Sequence, residues 1–295
     1  MSLWMRRRVW PLTIKIAVAA GVAFAFYTRY LRAPFAMETT MPNEIADAWE
    51  KTPSQTLLPA TQKAAVQAAK TGRITARPGP VKETARRGLL RLGLGTVRDG
   101  LIYIPIGYEA DHPAPLVLSL HGAGGNAPQG LGLLQEHADR NGFLVLAVDS
   151  RGSTWDVLTG GYGPDVEFIN RALARTFSSY AIDPTRIAIA GFSDGASYAL
   201  SLGITNGDLF GKVIAFSPGF MAPEAQRGQP PIFISHGKRD AVLPIEKCSR
   251  RIVPQLQRSG YAVQFREFDG PHTVPAEIKS EAINWWLAPG IDNKG

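Results

Sequence analysis

Ile187-Ala188-Ile189-Ala190-Gly191-Phe192-Ser193-Asp194-Gly195-Ala196-Ser197 is the stretch on which the fold of this chain turns. The apolar run 187–190 predicts a strand leading into Gly191. Ser193–Leu202 predicts a helix with Ala196, Ala199 and Leu200 facing inward. A serine between strand and helix, with a glycine two positions to either side, is the pattern of a nucleophile held on a strained turn. The glycines remove side chains that would clash where the two elements approach. The pattern by itself is short and common. An ordinary glycine-rich turn with Ser193 as helix N-cap fits it too, so the surroundings have to decide.

Outward from this stretch the chain alternates short β runs with amphipathic helices. Strands are predicted at Leu101–Ile106, Pro115–Leu120, Phe143–Val148, Lys212–Phe216, Pro231–Ser235 and Ala262–Phe268. Helices are predicted at Asp165–Tyr180, Ile245–Ser259 and Pro275–Leu287. Val166, Ile169, Leu173 and Phe177 recur on one face of the first. Short apolar strands separated by helices imply an α/β domain, a mainly parallel sheet with helices on both faces. Ligands of such sheets bind beyond the carboxyl ends of the strands.

A serine hydroxyl needs a base. For a serine on this kind of turn, acid and base follow it in the chain, the base last. Of the five histidines only His236 and His272 come after Ser193. His272, in the loop after the last strand, is the expected base; His236 reads as a structural histidine that positions the acid loop. Asp240, just past the strand before the last, is the expected acid that orients the imidazole. Asp269 lies only three residues from His272, and Glu224 follows an earlier strand; both are weaker rivals. The oxyanion needs backbone N–H donors. Asp194, the residue after the nucleophile, supplies one. His121-Gly122-Ala123-Gly124-Gly125-Asn126 supplies the other, from Ala123 or, second, Gly124. A phosphate cradle at that loop is disfavoured, because no G-x-x-x-x-G-K-[ST] pattern is present. No cofactor or metal is called for.

The stretches LVLSLHGAGGN, DVEFINRALARTFSSYAIDPTRIAIAGFSDGAS, ISHGKRDAVLP and DGPHTVP, in this order, resemble the α/β-hydrolase superfamily. Within it they are most similar to the esterases akin to polyhydroxybutyrate depolymerases, feruloyl esterases and phospholipase/carboxylesterases. The resemblance covers about 98–287 and implies the triad Ser193, Asp240, His272. Two departures stand out. Asp194 replaces a frequently neutral residue, placing a carboxylate near the expected entrance, and the His272 loop lacks a second glycine directly before the histidine.

The rest of the chain bounds the reading. Residues 1–97 carry 15 Lys+Arg against 5 Asp+Glu, a balance of +10, and residues 98–295 carry 17 against 20, a balance of −3. The basic character belongs to the N-terminal extension, and no basic stripe interleaved with aromatics marks a nucleic-acid face. The lone Cys248 excludes an intrachain disulfide and fits no zinc spacing. Arg6-Arg7-Arg8 before the largely apolar Val9–Tyr27 reads as a membrane anchor or a signal segment, either of which places the domain on the non-cytoplasmic side; a mitochondrial presequence is the third reading, since no acidic residue precedes Glu38. The expected organisation is an anchor or signal over 1–32, a linker with a partial helix over 33–97, the catalytic domain over 98–288, and a tail over 289–295.

Only about a dozen residues separate Phe216 from Pro231, too few for a large helical cap. Phe192, Trp155, Tyr162, Phe220 and Met221 are expected in or beside loops that rim the site. An open, partly aromatic cleft suits a small-molecule or polymer ester, cleaved through an acyl-enzyme on Ser193. The alternatives are a thioesterase or peptidase with the same triad, or a membrane-tethered binding protein without turnover.

Overall fold

The computed structural model describes residues 60–81 and 86–288. Its centre is a sheet of β1 (Gly88–Arg91), β2 (Gly100–Ile104), β3 (Ala114–Leu120), β4 (Leu144–Val148), β5 (Ile182–Phe192), β6 (Lys212–Phe216), β7 (Ile232–Gly237) and β8 (Val263–Phe268). The spatial order is β1-β2-β4-β3-β5-β6-β7-β8. β2 runs antiparallel to both β1 and β4, and every other pairing is parallel.

Alternation along the central strands divides the core in two. Leu116, Leu118, Leu120, Ile187 and Ile189 point to one face. There they meet α1 (Ala60–Lys70), α4 (Pro164–Ser179), α5 (Asp194–Thr205) and α6 (Ser249–Arg258). Val117, Ala188 and Ala190 point to the other, against α2 (Ala127–Gly132), α3 (Ala138–Asn141) and α7 (Ala276–Leu287). Both faces of β3 and β4 are buried throughout, which is why those strands read as unbroken apolar runs rather than alternating ones.

Register aligns the chemistry. Leu120 pairs with Gly191, Phe192 with Phe216, Phe216 with Ser235 and Gly237 with Phe268. The loops that follow β3, β5, β7 and β8 therefore emerge along one edge, and they carry Ala123, Ser193, Asp240 and His272 in turn. Residues 217–231 form no helix, so the site has minimal cap.

The boundary expected at Arg98 moves toward the N-terminus. β1 lies within the presumed linker, and Ala69, Ile74, Ala76 and Leu92 are buried in the core. The partial helix expected within 33–97 is present as α1, and Gly72, in the left-handed region (φ 67°), follows its end. The strap after it is held by amides. Asn206 Oδ1 accepts from Ile74 N–H at 2.9 Å, and Asn170 Oδ1 accepts from Thr75 and Ala76 N–H at 2.7 and 2.8 Å. These contacts are made to residues distant in sequence, so composition alone reads the strap as spacer. The expected anchor or signal segment and the tail over 289–295 lie outside the described residues. Among the described residues, no helix is long and apolar enough to cross a membrane.

Candidate active site

The turn after β5 has the strain that its glycines anticipate. Ser193 sits at φ 58°, ψ −120°, a rare conformation for a residue with a side chain. A Cβ on Gly191 would come within 2.2 Å of Gly195 O, and one on Gly195 within 2.4 Å of Leu120 O and His121 O. Both are contacts that no real side chain makes. Phe216 O accepts from Ser193 N–H at 2.9 Å, tying the apex to β6. Ser193 is the residue preceding α5, and its hydroxyl points away from the helix to the imidazole of His272.

That imidazole joins two loops. His272 Nε2 lies 2.9 Å from Ser193 Oγ, and Nδ1 lies 2.5 Å from Asp240 Oδ2. The partners assign the tautomer: Nδ1–H donates to the carboxylate, leaving Nε2 to accept from the serine hydroxyl. Phe192 packs a tilted ring on the imidazole, centroids 4.7 Å apart. The His272 loop is pressed on the end of β7, since a Cβ on Gly237 would lie 2.4 Å from Gly270 O and Pro271 O. Arg239 N–H donates to Gly270 O as well.

Asp240 is buried and fully engaged. Its Oδ1 accepts from Val242 and Leu243 N–H at 2.9 and 2.7 Å. Burial pushes its carboxyl up, but His236, His272 and the Leu243 N–H together hold it well below the usual carboxylate range. His236 is fully buried: Nε2–H donates to Leu243 O, Nδ1 accepts from the Ser249 hydroxyl, each at 2.7 Å, and Nε2 lies 3.3 Å from Asp240 Oδ2. These contacts tie its ring to the loop that carries Asp240. The rival Asp269 sits in solvent and pairs with Arg239. Glu224 stands by the end of α5, its N–H donating to Thr205 Oγ1.

The loop 121–126 packs against Ser193. A Cβ on Gly122 would meet Ser193 Cβ at 3.5 Å. Gly124 N–H is already spent on Ser153 O at 2.7 Å, whereas among the described residues neither Ala123 nor Asp194 N–H has a backbone partner outside the helices and strands. That favours Ala123 over Gly124. The Asp194 carboxylate is not exposed at the entrance as its sequence position suggests. It is buried, its Oδ2 accepting from the Thr154 hydroxyl at 2.6 Å, and burial raises its pKa.

Beside Ser193 runs an open groove of about 450 Å³, lined by His121, Gly122, Ala123, Gln129, Gly132, Leu133 and Phe192. Of the five expected rim residues only Phe192 lines it. Trp155, Tyr162 and Phe220 are buried and Met221 packs on the core. Trp155 supports the loop 121–126 from behind, its Nε1–H donating to His121 O at 3.0 Å and its ring stacking on Tyr198. Thr154 and Trp155 were not legible as site supports, because the loop that carries them has no motif of its own.

The model of the phospholipase/carboxylesterase family matches residues 167–283, the span that includes Ser193, Asp240 and His272. A bifunctional acetylxylan esterase/xylanase of Neocallimastix patriciarum is 32% identical over 160 residues, which cover 50% of this chain and 22% of that protein. Feruloyl esterase B of Thermothelomyces thermophilus is 29% identical over 118 residues, covering 37% of this chain and 40% of that one. The matches thus span less than half the length of these curated relatives. Among solved structures, S-formylglutathione hydrolase from Staphylococcus aureus superposes with TM-score 0.57 at 16% identity, covering 71% of this chain and 100% of that one. A thermostable esterase superposes with TM-score 0.53 at 22% identity, covering 68% and 62%. By its strand order, its serine turn and these likenesses, the chain has the α/β-hydrolase fold, and over residues 167–283 it matches the phospholipase/carboxylesterase family model.

Proposed function

We propose that the chain is a serine esterase that cleaves carboxylic esters through an acyl-enzyme on Ser193. The observation that carries this reading is the unbroken line Ser193 Oγ, His272, Asp240, with separations of 2.9 and 2.5 Å. His272 Nε2 takes the hydroxyl proton as Oγ attacks the ester carbonyl. The tetrahedral oxyanion rests on Ala123 and Asp194 N–H. His272 then returns the proton to the leaving alcohol, and a water activated by the same nitrogen releases the acid and restores Ser193. Asp240, ionised and immobile, holds the imidazole and stabilises its protonated form.

The groove supports the substrate class. No Asp, Glu, Lys or Arg is among its lining residues, and it is open and uncapped. Uncharged esters fit it, either small molecules or acyl groups borne on a polymer, as the names of the acetylxylan and feruloyl esterases suggest by analogy. The apolar segment Val9–Tyr27 after Arg6–Arg8 makes the protein membrane-anchored or secreted, with this domain in the periplasm or outside the cell.

A fluorophosphonate probe tests the reading. It is expected to label the wild-type protein and not Ser193→Ala, and the variant is expected to lose about 10⁴–10⁶ in turnover of p-nitrophenyl acetate. Equal labelling of both proteins, or of neither, overturns it; the latter would favour a binding protein.

A further inference from the structure

The two halves of the proposed oxyanion hole come from different loops, Ala123 from the turn after β3 and Asp194 from the turn after β5. Their spacing is not set by either loop alone. Two consecutive residues of a third loop, the one after β4, reach one half each. Ser153 O accepts from Gly124 N–H at 2.7 Å, next to Ala123. The Thr154 hydroxyl donates to Asp194 Oδ2 at 2.6 Å.

The third loop is itself immobilised. Ser150 N–H donates to His121 Nε2 at 3.0 Å, and Trp155 Nε1–H donates to His121 O. The fully buried Trp155 ring lies between His121, centroids 4.7 Å apart, and Tyr198 of α5, centroids 5.0 Å apart. Asp165 Oδ2 accepts from Asp156 N–H at 2.7 Å. Burial lowers the pKa of His121, so the imidazole stays in the neutral form that accepts from Ser150.

We propose that Ser153 and Thr154 form a brace that sets the spacing of the oxyanion hole, and that Thr154 is a positioning residue for the ester hydrolysis proposed above. The inference rests on that reading. Donors must meet the developing oxyanion within a few tenths of an ångström of their optimum. Without the Thr154 hydroxyl the buried Asp194 carboxylate loses a donor, and relieving that loss means turning the first residue of α5, whose N–H is the second oxyanion donor.

Thr154→Val keeps the shape and deletes only the hydroxyl. We expect kcat to fall about ten- to a hundredfold with KM within about twofold, since misplacement by under an ångström has effects of this order. The affinity of a trifluoromethyl ketone, whose hemiketal oxyanion occupies the same hole, should weaken by the same factor as kcat/KM. Thr154→Ser, which restores the hydroxyl, should recover both. A Thr154→Val kcat within about twofold of wild type, or a fall in kcat with unchanged ketone affinity, overturns the brace. Should Thr154→Val not fold, Thr154→Ala deletes the same hydroxyl, leaves the Asp194 carboxylate without that donor and must show the same parallel loss. Fluorophosphonate labelling of the wild type separates the two readings: failure of the brace leaves labelling intact, whereas its absence removes the esterase and the brace together.

Discussion

Two segments at the same edge of the sheet hold buried carboxylates, and the surroundings move Asp240 and Asp165 in opposite directions. Asp240, after β7, is 5% exposed, and Asp165, at the start of α4, is 1% exposed. Burial pushes both upward. At Asp240 two histidines and backbone N–H groups outweigh it. At Asp165 a second carboxylate, Asp156, adds to it; the Arg151 and Asp156 N–H groups offset only part, and the group is pushed up to about 6. Partners, not burial, decide the sign. The loop after β7 therefore keeps a permanent charge where the imidazole needs one. The loop after β4 uses its carboxylates as hydrogen-bond acceptors that fold the segment carrying Thr154 and Trp155.

Removing the charge on the first side has the largest expected effect. Asp240→Asn keeps the shape but lets the wrong imidazole tautomer form, and kcat is expected to fall about 10⁴-fold. Steady-state hydrolysis measures it, and a loss under about tenfold would move the orienting role to another group.

The second side is read in stability rather than rate. Asp165 ionises near 4 when unfolded and near 6 when folded, so over that interval the native state holds more protons. Stability from this group is full below about 4 and declines as pH rises to about 6, by roughly 3 kcal/mol. Asp165→Asn should remove that decline, seen as a flatter difference in urea-unfolding free energy between pH 4 and pH 7. An unchanged pH dependence would show that the carboxylate ionises normally.

A third carboxylate calibrates the pair. Asp208 holds Arg73 and Arg77 of the N-terminal strap at 2.5 and 2.6 Å, and hydrogen bonds from Arg73 first hold it well below the usual range. Its side chain is 40% exposed, so solvent screens most of that gain. The contribution is present above about pH 4 and lost as pH falls further. Asp208→Asn should change stability at pH 7 by less than about 1 kcal/mol. A cost of several kcal/mol would mean the strap depends on its exposed ion pairs rather than on the buried Asn206 amide.

Much of this was legible along the chain, and the illegible parts share a cause. β6 was placed residue for residue and most other strands within two at their ends, because fully buried strands are apolar runs bounded by turns. β5 starts five residues earlier than its apolar core, since Ile182 rejoins β3 after an irregularity. α6 begins at Ser249 rather than Ile245, because the backbone at Cys248 leaves the helical region. β1 was missed: four residues with alternating half-burial make too short a pattern, and only pairing with β2 defines it.

Ser193, His272, Asp240 and Ala123 were each singled out by residue type beside a strand end. That was possible because the strained turn demands glycines at fixed offsets and the strand ends are local features. Tertiary structure decided what no local pattern encodes: that Asp194 is buried on Thr154, that Trp155 is a buttress and not a rim, and that Gly124 is already bonded. It also decided that the strap before β1 belongs to the body of the domain. Each of these depends on one polar group meeting another across a long separation in sequence, and hydrogen bonding at such distance leaves no periodicity to read.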